Sequence, residues 1–126
     1  MLFSSSAPSR APDIITAHNS SSTSLIVTWS HLPKQNLNGE PLGYKVTYHP
    51  VGLKRNVNIV IVNYTNTTEL ANLSAFTVYI IDVSALSSGG VGPGNTAKVR
   101  TDDAGINDLL AAILTSVLNF DYGFNR

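Results

Sequence analysis

The chain predicts an all-β fold, a seven-stranded antiparallel β-sandwich with an appended C-terminal amphipathic helix, and three observations carry that prediction. Tyr79, Ile81, Val83 and Ala85 alternate with Ile80, Asp82 and Ser84, so one face of this segment is continuously apolar while the other can meet water. The same two-residue period recurs at Leu25, Val27 and Trp29 and again at Tyr44, Val46 and Tyr48, with Gly-, Pro-, Asn- and Ser-rich stretches between the runs. Beyond Asp103 the period changes to three and four residues, through Ile106, Leu109, Leu110, Ile113, Leu114, Val117 and Leu118. The chain therefore divides into a flexible tail (1–7), a sandwich domain (8–102) and a helix with its tail (103–126).

Taken in order, Pro8 and Pro12 cannot donate to a ladder, which suits a first strand at a sheet edge with Ile14, Ile15 and Ala17 as its apolar content. Asn19 to Thr23 reads as a turn. The second strand, through Leu25, Val27 and Trp29, puts an indole into the core. His31 to Pro41 holds an Asn-Gly pair and two prolines and reads as a long, exposed, irregular loop. Tyr44, Val46 and Tyr48 form one face of a third strand, and His49 to Gly52 reads as a turn. Val57, Ile59 and Ile61 alternate with Asn58, Val60 and Val62 in a fourth. Thr67 to Leu73 supplies a short fifth strand with Leu70 inward, Tyr79 to Ala85 the sixth, and Asn95 to Thr101 the seventh, with Ala97, Val99 and Thr101 on one side.

Leu73 lies six residues before Tyr79, and a tyrosine hydroxyl placed there can bond back to the incoming backbone, an arrangement known as a tyrosine corner. Leucine, tyrosine six on, then Ile81, Val83, Ala85 and Gly90-Val91-Gly92-Pro93 resembles the signature of fibronectin type III domains, which are immunoglobulin-like sandwiches. The Trp29 strand and the Tyr44, Val46, Tyr48 spacing fit the same family. The resemblance covers about residues 8 to 101. It departs at Ala75, where family members often have proline, and losing that proline frees the unfolded corner at a cost of roughly 0.4–1 kcal/mol. Asn38-Gly39-Glu40-Pro41-Leu42-Gly43-Tyr44 resembles modules of neural-type adhesion receptors and receptor phosphatases.

Composition narrows the function. The chain has 126 residues, 43% of them hydrophobic and 13% charged, enough for one domain with a real core. Residues 1–101 hold seven Lys/Arg against four Asp/Glu, and residues 102–126 hold one against four, so the body is +3 and the tail −3. Neither part carries a basic stripe interleaved with stacking aromatics, which argues against nucleic-acid binding. Without cysteine there is no disulfide, thiolate metal site or cysteine nucleophile. That absence also separates the chain from antibody-like domains and from cytokine-receptor relatives. His18, His31 and His49 fall on three separate loops or loop edges, too dispersed for a metal cluster, and no Gly-x-Ser-x-Gly turn is present. No enzymatic activity, cofactor or small-molecule substrate is expected.

Four features remain as candidate sites. Asn19, Asn63, Asn66 and Asn72 each open an N-glycosylation pattern, with Asn72 close to the packed corner. Ser87, Ser88, Gly89, Gly90 and Val91 form the loop before the last strand, which is a ligand surface in many relatives of the resemblance. The glycine run there is not a phosphate loop, because a strand pattern rather than a helix follows it, and Arg-Gly-Asp occurs nowhere in the chain. Ile59-Val60-Ile61-Val62 is apolar on both faces and needs a cover or a partner. The helix beyond Asp103, about 15 residues and short for a bilayer, needs a host to bury against and is expected to drive self-association or to pack on its own domain.

The resemblance implies a non-catalytic protein-binding or spacer module, extracellular or at the cell surface as part of a larger adhesion molecule or receptor. Contact with a membrane would come only through a segment of the parent. A spacer in an intracellular tandem array, or an engineered scaffold associating through its helix, are the alternatives.

Overall fold

The computed structural model describes residues 6–13, 15–52, 57–103 and 117. Seven strands form in chain order: β1 (Ile15–Ser21), β2 (Ser24–Trp29), β3 (Pro41–Pro50), β4 (Asn58–Val62), β5 (Thr67–Leu70), β6 (Val78–Ser87) and β7 (Gly90–Arg100). They make two antiparallel sheets, of order β1-β2-β5 and β4-β3-β6-β7. A single 3-10 turn, Lys34–Asn36, interrupts the connection from β2 to β3.

The two-residue period of the sequence becomes the inside of this sandwich. Leu25, Val27 and Trp29 of β2 face Tyr44 and Val46 of β3 and Tyr79, Ile81, Val83 and Ala85 of β6, all buried, with Leu70 and Leu73 closing one side. Tyr48 is half-buried and packs on the margin of this cluster. Burying side chains of this size contributes about 1.5–3 kcal/mol each. The ring of Trp29 tilts against that of Tyr44 at 5.3 Å between centroids.

Several boundaries differ from the sequence expectation. β1 runs through Ser21, because Asn19 and Ser21 still pair with β2 around a bulge, so the turn shrinks to Ser22 and Thr23. His49 and Pro50 are not a turn but the end of β3, opposite Ile80 and Tyr79. His18 and His49 therefore lie inside strands, not on loops. β7 starts five residues earlier than expected, at Gly90, whose partner is Ser87. The connection from β2 to β3 is not simply exposed, since it delivers Leu32 and Leu37 into the core at 1% and 0% exposure. Of the expected C-terminal helix, only Val117 is among the described residues, in helical conformation and exposed. Ile106, Leu109, Leu110, Ile113, Leu114 and Leu118 lie outside the described residues.

Candidate binding surfaces of the sandwich

One end of the sandwich is closed by hydrogen bonds around the corner before β6. The Tyr79 hydroxyl accepts the Ser74 N–H at 2.8 Å, the backward bond that the Leu73–Tyr79 spacing implies. Thr101 is fully buried beside it. Its hydroxyl donates to the Ser74 carbonyl at 2.7 Å and accepts the Thr77 N–H at 2.9 Å. Phe76 sits at φ 50° with its N–H on the Asp102 carbonyl, and its exposed ring carries the Arg100 guanidinium at 4.6 Å. These bonds tie the corner to the end of β7, beside an open cavity of about 380 Å³ lined by Phe76, Arg100, Thr101, Asp102 and Asp103.

A second staple sits at the start of β3. The buried Tyr44 hydroxyl accepts the Leu32 N–H at 3.1 Å and lies 3.0 Å from His31 Nδ1. Tyr64 stacks on Tyr44 with centroids 5.6 Å apart, contacts the His31 ring at 4.5 Å, and donates its hydroxyl to the Leu32 carbonyl at 3.0 Å. Burial pushes the Tyr44 hydroxyl above the usual tyrosine range, with the Leu32 N–H opposing and the neighbouring Tyr64 adding to the rise. Leu32 is thereby held at both its N–H and its carbonyl, which is why a loop rich in proline and asparagine can bury a leucine.

The loop expected to bind ligands is a two-residue turn, Ser88 and Gly89, between paired Ser87 and Gly90. It is enclosed from two sides. The Ser88 N–H donates to the Glu40 carbonyl at 2.9 Å, and the Glu40 N–H donates to Ser88 Oγ at 3.0 Å. Ser87 is buried, its hydroxyl reaching the Ser6 carbonyl and accepting the Gly89 N–H. Ser6 and Ser9 donate their N–H groups to Asn38 and Asn36, and Asn38 Nδ2 donates to the Ala7 carbonyl. Residues 6 and 7, expected to be tail, are thus tied to the body. Gly92 must be glycine here, because a Cβ would press into Pro8. Of Ser87 to Val91, only Ser88 and Val91 are exposed.

The fourth strand behaves differently. β4 is the outer strand of its sheet, and Ile59 and Ile61 stand in solvent at 57% and 59% exposure while Val60 and Val62 are half-buried. Their cross-strand neighbours on the outer face are Thr47 and Lys45. Gly43, at φ 135°, lets β3 pass this close to β4, since a Cβ there would collide with the Val62 carbonyl.

The four candidate glycosylation asparagines separate on inspection. Asn63, Asn66 and Asn72 are exposed, Asn72 in the left-handed region at φ 59° rather than packed into the corner. Asn19 is engaged: Nδ2 donates to the Arg100 carbonyl at 3.2 Å and Oδ1 accepts the Asp102 N–H at 2.8 Å. Among the described residues, no three of His, Cys, Asp and Glu converge as a metal site would require.

Two sheets of three and four strands, the Leu73–Tyr79 corner and a tryptophan on β2 match one family in detail, and the fibronectin type III domain profile covers residues 7–102. The chain belongs to the fibronectin type III family. This fibronectin type III chain is 39% identical over 102 residues to mouse protein sidekick-1, covering 78% of the chain and 5% of that protein. It is 30% identical over 101 residues to a putative receptor-type tyrosine-protein phosphatase, mosPTP-1, of Aedes aegypti, covering 77% of the chain and 8% of the relative. Among solved structures, the fn3 domain of human contactin 1 superposes with a TM-score of 0.69 at 28% identity, covering 79% of this chain and 82% of that one. The fibronectin type III chain thus spans a small fraction of the curated relatives it matches.

Proposed function

We propose that this fibronectin type III domain is a non-catalytic protein-binding module of a cell-surface adhesion molecule or receptor. The observation that carries the binding role is the contrast within one sheet: the turn end is tied to residues 6–9 and 36–40, while β4 presents two isoleucines and a strand edge that no other described strand pairs with. Similarity to sidekick-1, to contactin 1 and to a receptor-type phosphatase supports the cell-surface setting.

Antibodies against the folded domain, applied to intact cells of the source organism, test the setting. Surface labelling is expected; labelling only after permeabilisation favours the intracellular spacer. In a secretory host, Asn63, Asn66 and Asn72 are the acceptors this reading assigns, because they are exposed, whereas the Asn19 Nδ2 that a glycan would occupy is held against the Arg100 carbonyl. Asn19→Gln is expected to leave the glycosidase-sensitive gel shift unchanged, and removal of the other three asparagines to abolish it. A shift that disappears with Asn19→Gln contradicts the assignment.

A further inference from the structure

We infer that β4 pairs edge to edge with β4 of a second copy of this chain, antiparallel and centred on Val60, joining two four-stranded sheets into one of eight. The edges of the described sheets are not alike. β1 carries a bulge between Asn19 and Ser21 and is anchored at its end by Asn19 to Arg100 and Asp102. β5 is four residues long and holds Glu69. β7 contains Pro93, Lys98 and Arg100. Bulges, short length, proline and charge are the devices that keep a strand edge from pairing. β4, Asn58-Ile59-Val60-Ile61-Val62, is only one residue longer than β5 but has no bulge, proline or charge, and its register with β3 is unbroken from Asn58 to Val62.

Its three central residues, Ile59-Val60-Ile61, read the same in both directions. Rotation about a two-fold axis through Val60 sets Ile59 of one copy beside Ile61 of the other, and Ile61 beside Ile59, on the face where both are exposed. Two isoleucine pairs would then lie at cross-strand contact distance, the arrangement that stabilises an antiparallel ladder. Because the strand is uncharged, a second copy meets no repulsion along it. The nearest cation on that face among the described residues, Lys45, stands one strand inward, so its counterpart is three strand spacings away, roughly 14 Å and beyond the screening length of about 8 Å at physiological salt. A partner chosen for charge would find nothing on β4 to recognise, whereas an identical strand matches it at Ile59, Val60 and Ile61, with Asn58 and Val62 opposite each other at the ends.

Five residues a side bury less than the roughly 1,000 Å² expected of a stable interface, so the pairing is weak, with a Kd of roughly 0.1–1 mM, and gains strength only where many copies share a surface. Amide spectra of the full, unglycosylated chain are to be recorded from about 50 μM to 1 mM, beside the Ile59→Lys/Ile61→Lys double variant and the single Ile61→Lys variant. Concentration-dependent shifts confined to residues 58–62 and the facing β3 residues, lost in the double variant while its melting temperature is kept, are the expected result. No dependence up to 1 mM, shifts that persist in the double variant, or shifts located in residues 104–126 instead would overturn the pairing.

Discussion

The turn between β6 and β7 and the edge of β4 belong to the same sheet, yet one is tied down by its neighbours and the other stands open. At the turn, glycine-rich sequence would permit a mobile loop, but Ser87, Ser88 and Gly92 are each fitted against Ser6, Glu40 or Pro8. At β4, sequence that is apolar on both sides ends with two isoleucines in water. Surface availability here is decided by what the neighbouring segments cover, and composition alone points to the wrong place. An apolar strand stands in solvent because no described segment packs on its outer face, while a flexible-looking loop is tied down because three separate segments meet there.

The largest effect should come from the joint that creates the β4 edge. Gly43→Ala forces a Cβ into the Val62 carbonyl at a φ that L residues rarely adopt, and should cost on the order of 3 kcal/mol in denaturant unfolding, with exchange of the β4 amides accelerated first. Tyr44→Phe comes next. It leaves the buried Leu32 N–H without its acceptor and should cost about 1–3 kcal/mol. The same residue sets an alkaline limit: a hydroxyl whose folded pKa is raised contributes stability that is complete below the ordinary value near 10 and is lost as pH rises through the folded value. Stability measured from pH 8 to 12 should therefore fall more steeply for the native chain than for Tyr44→Phe.

Ser87→Ala removes two long hydrogen bonds at the tied-down end, to Ser6 and from Gly89, and should cost about 0.5–1.5 kcal/mol. Its signature is local, with faster exchange of the Gly89 amide, which loses its acceptor, and no change at β4. Ile59→Lys is the smallest, within about 0.5 kcal/mol, because the side chain it replaces already faces solvent. A loss of 2 kcal/mol or more in thermal unfolding would mean that Ile59 is covered and the comparison fails.

The sequence made the frame legible where physical contrast was strong. Alternation at Tyr79 to Ala85, the six-residue step from Leu73 and the indole of Trp29 each leave one solution, and the structure adopts it. Elsewhere the contrast was missing. Ile59 to Val62 are four apolar residues in a row, so no period says which pair turns outward. Leu32 and Leu37 sit among prolines and asparagines without any repeat, and their burial depends on Tyr44 and Tyr64, which arrive from other parts of the chain. Tyr64 itself reads from sequence only as the middle of a glycosylation pattern. The reach of β7 back to Gly90 was hidden for a related reason: glycines and Pro93 signal a loop, and only the packing of Pro8 over Gly92 shows why they remain in a strand.

Concentration-dependent amide shifts, compared between Asn58–Val62 and Ser87–Val91 in one series of spectra, test the contrast most directly. The account predicts shifts at the first segment and none at the second. Shifts at Ser87–Val91 with an unchanged β4 would contradict it.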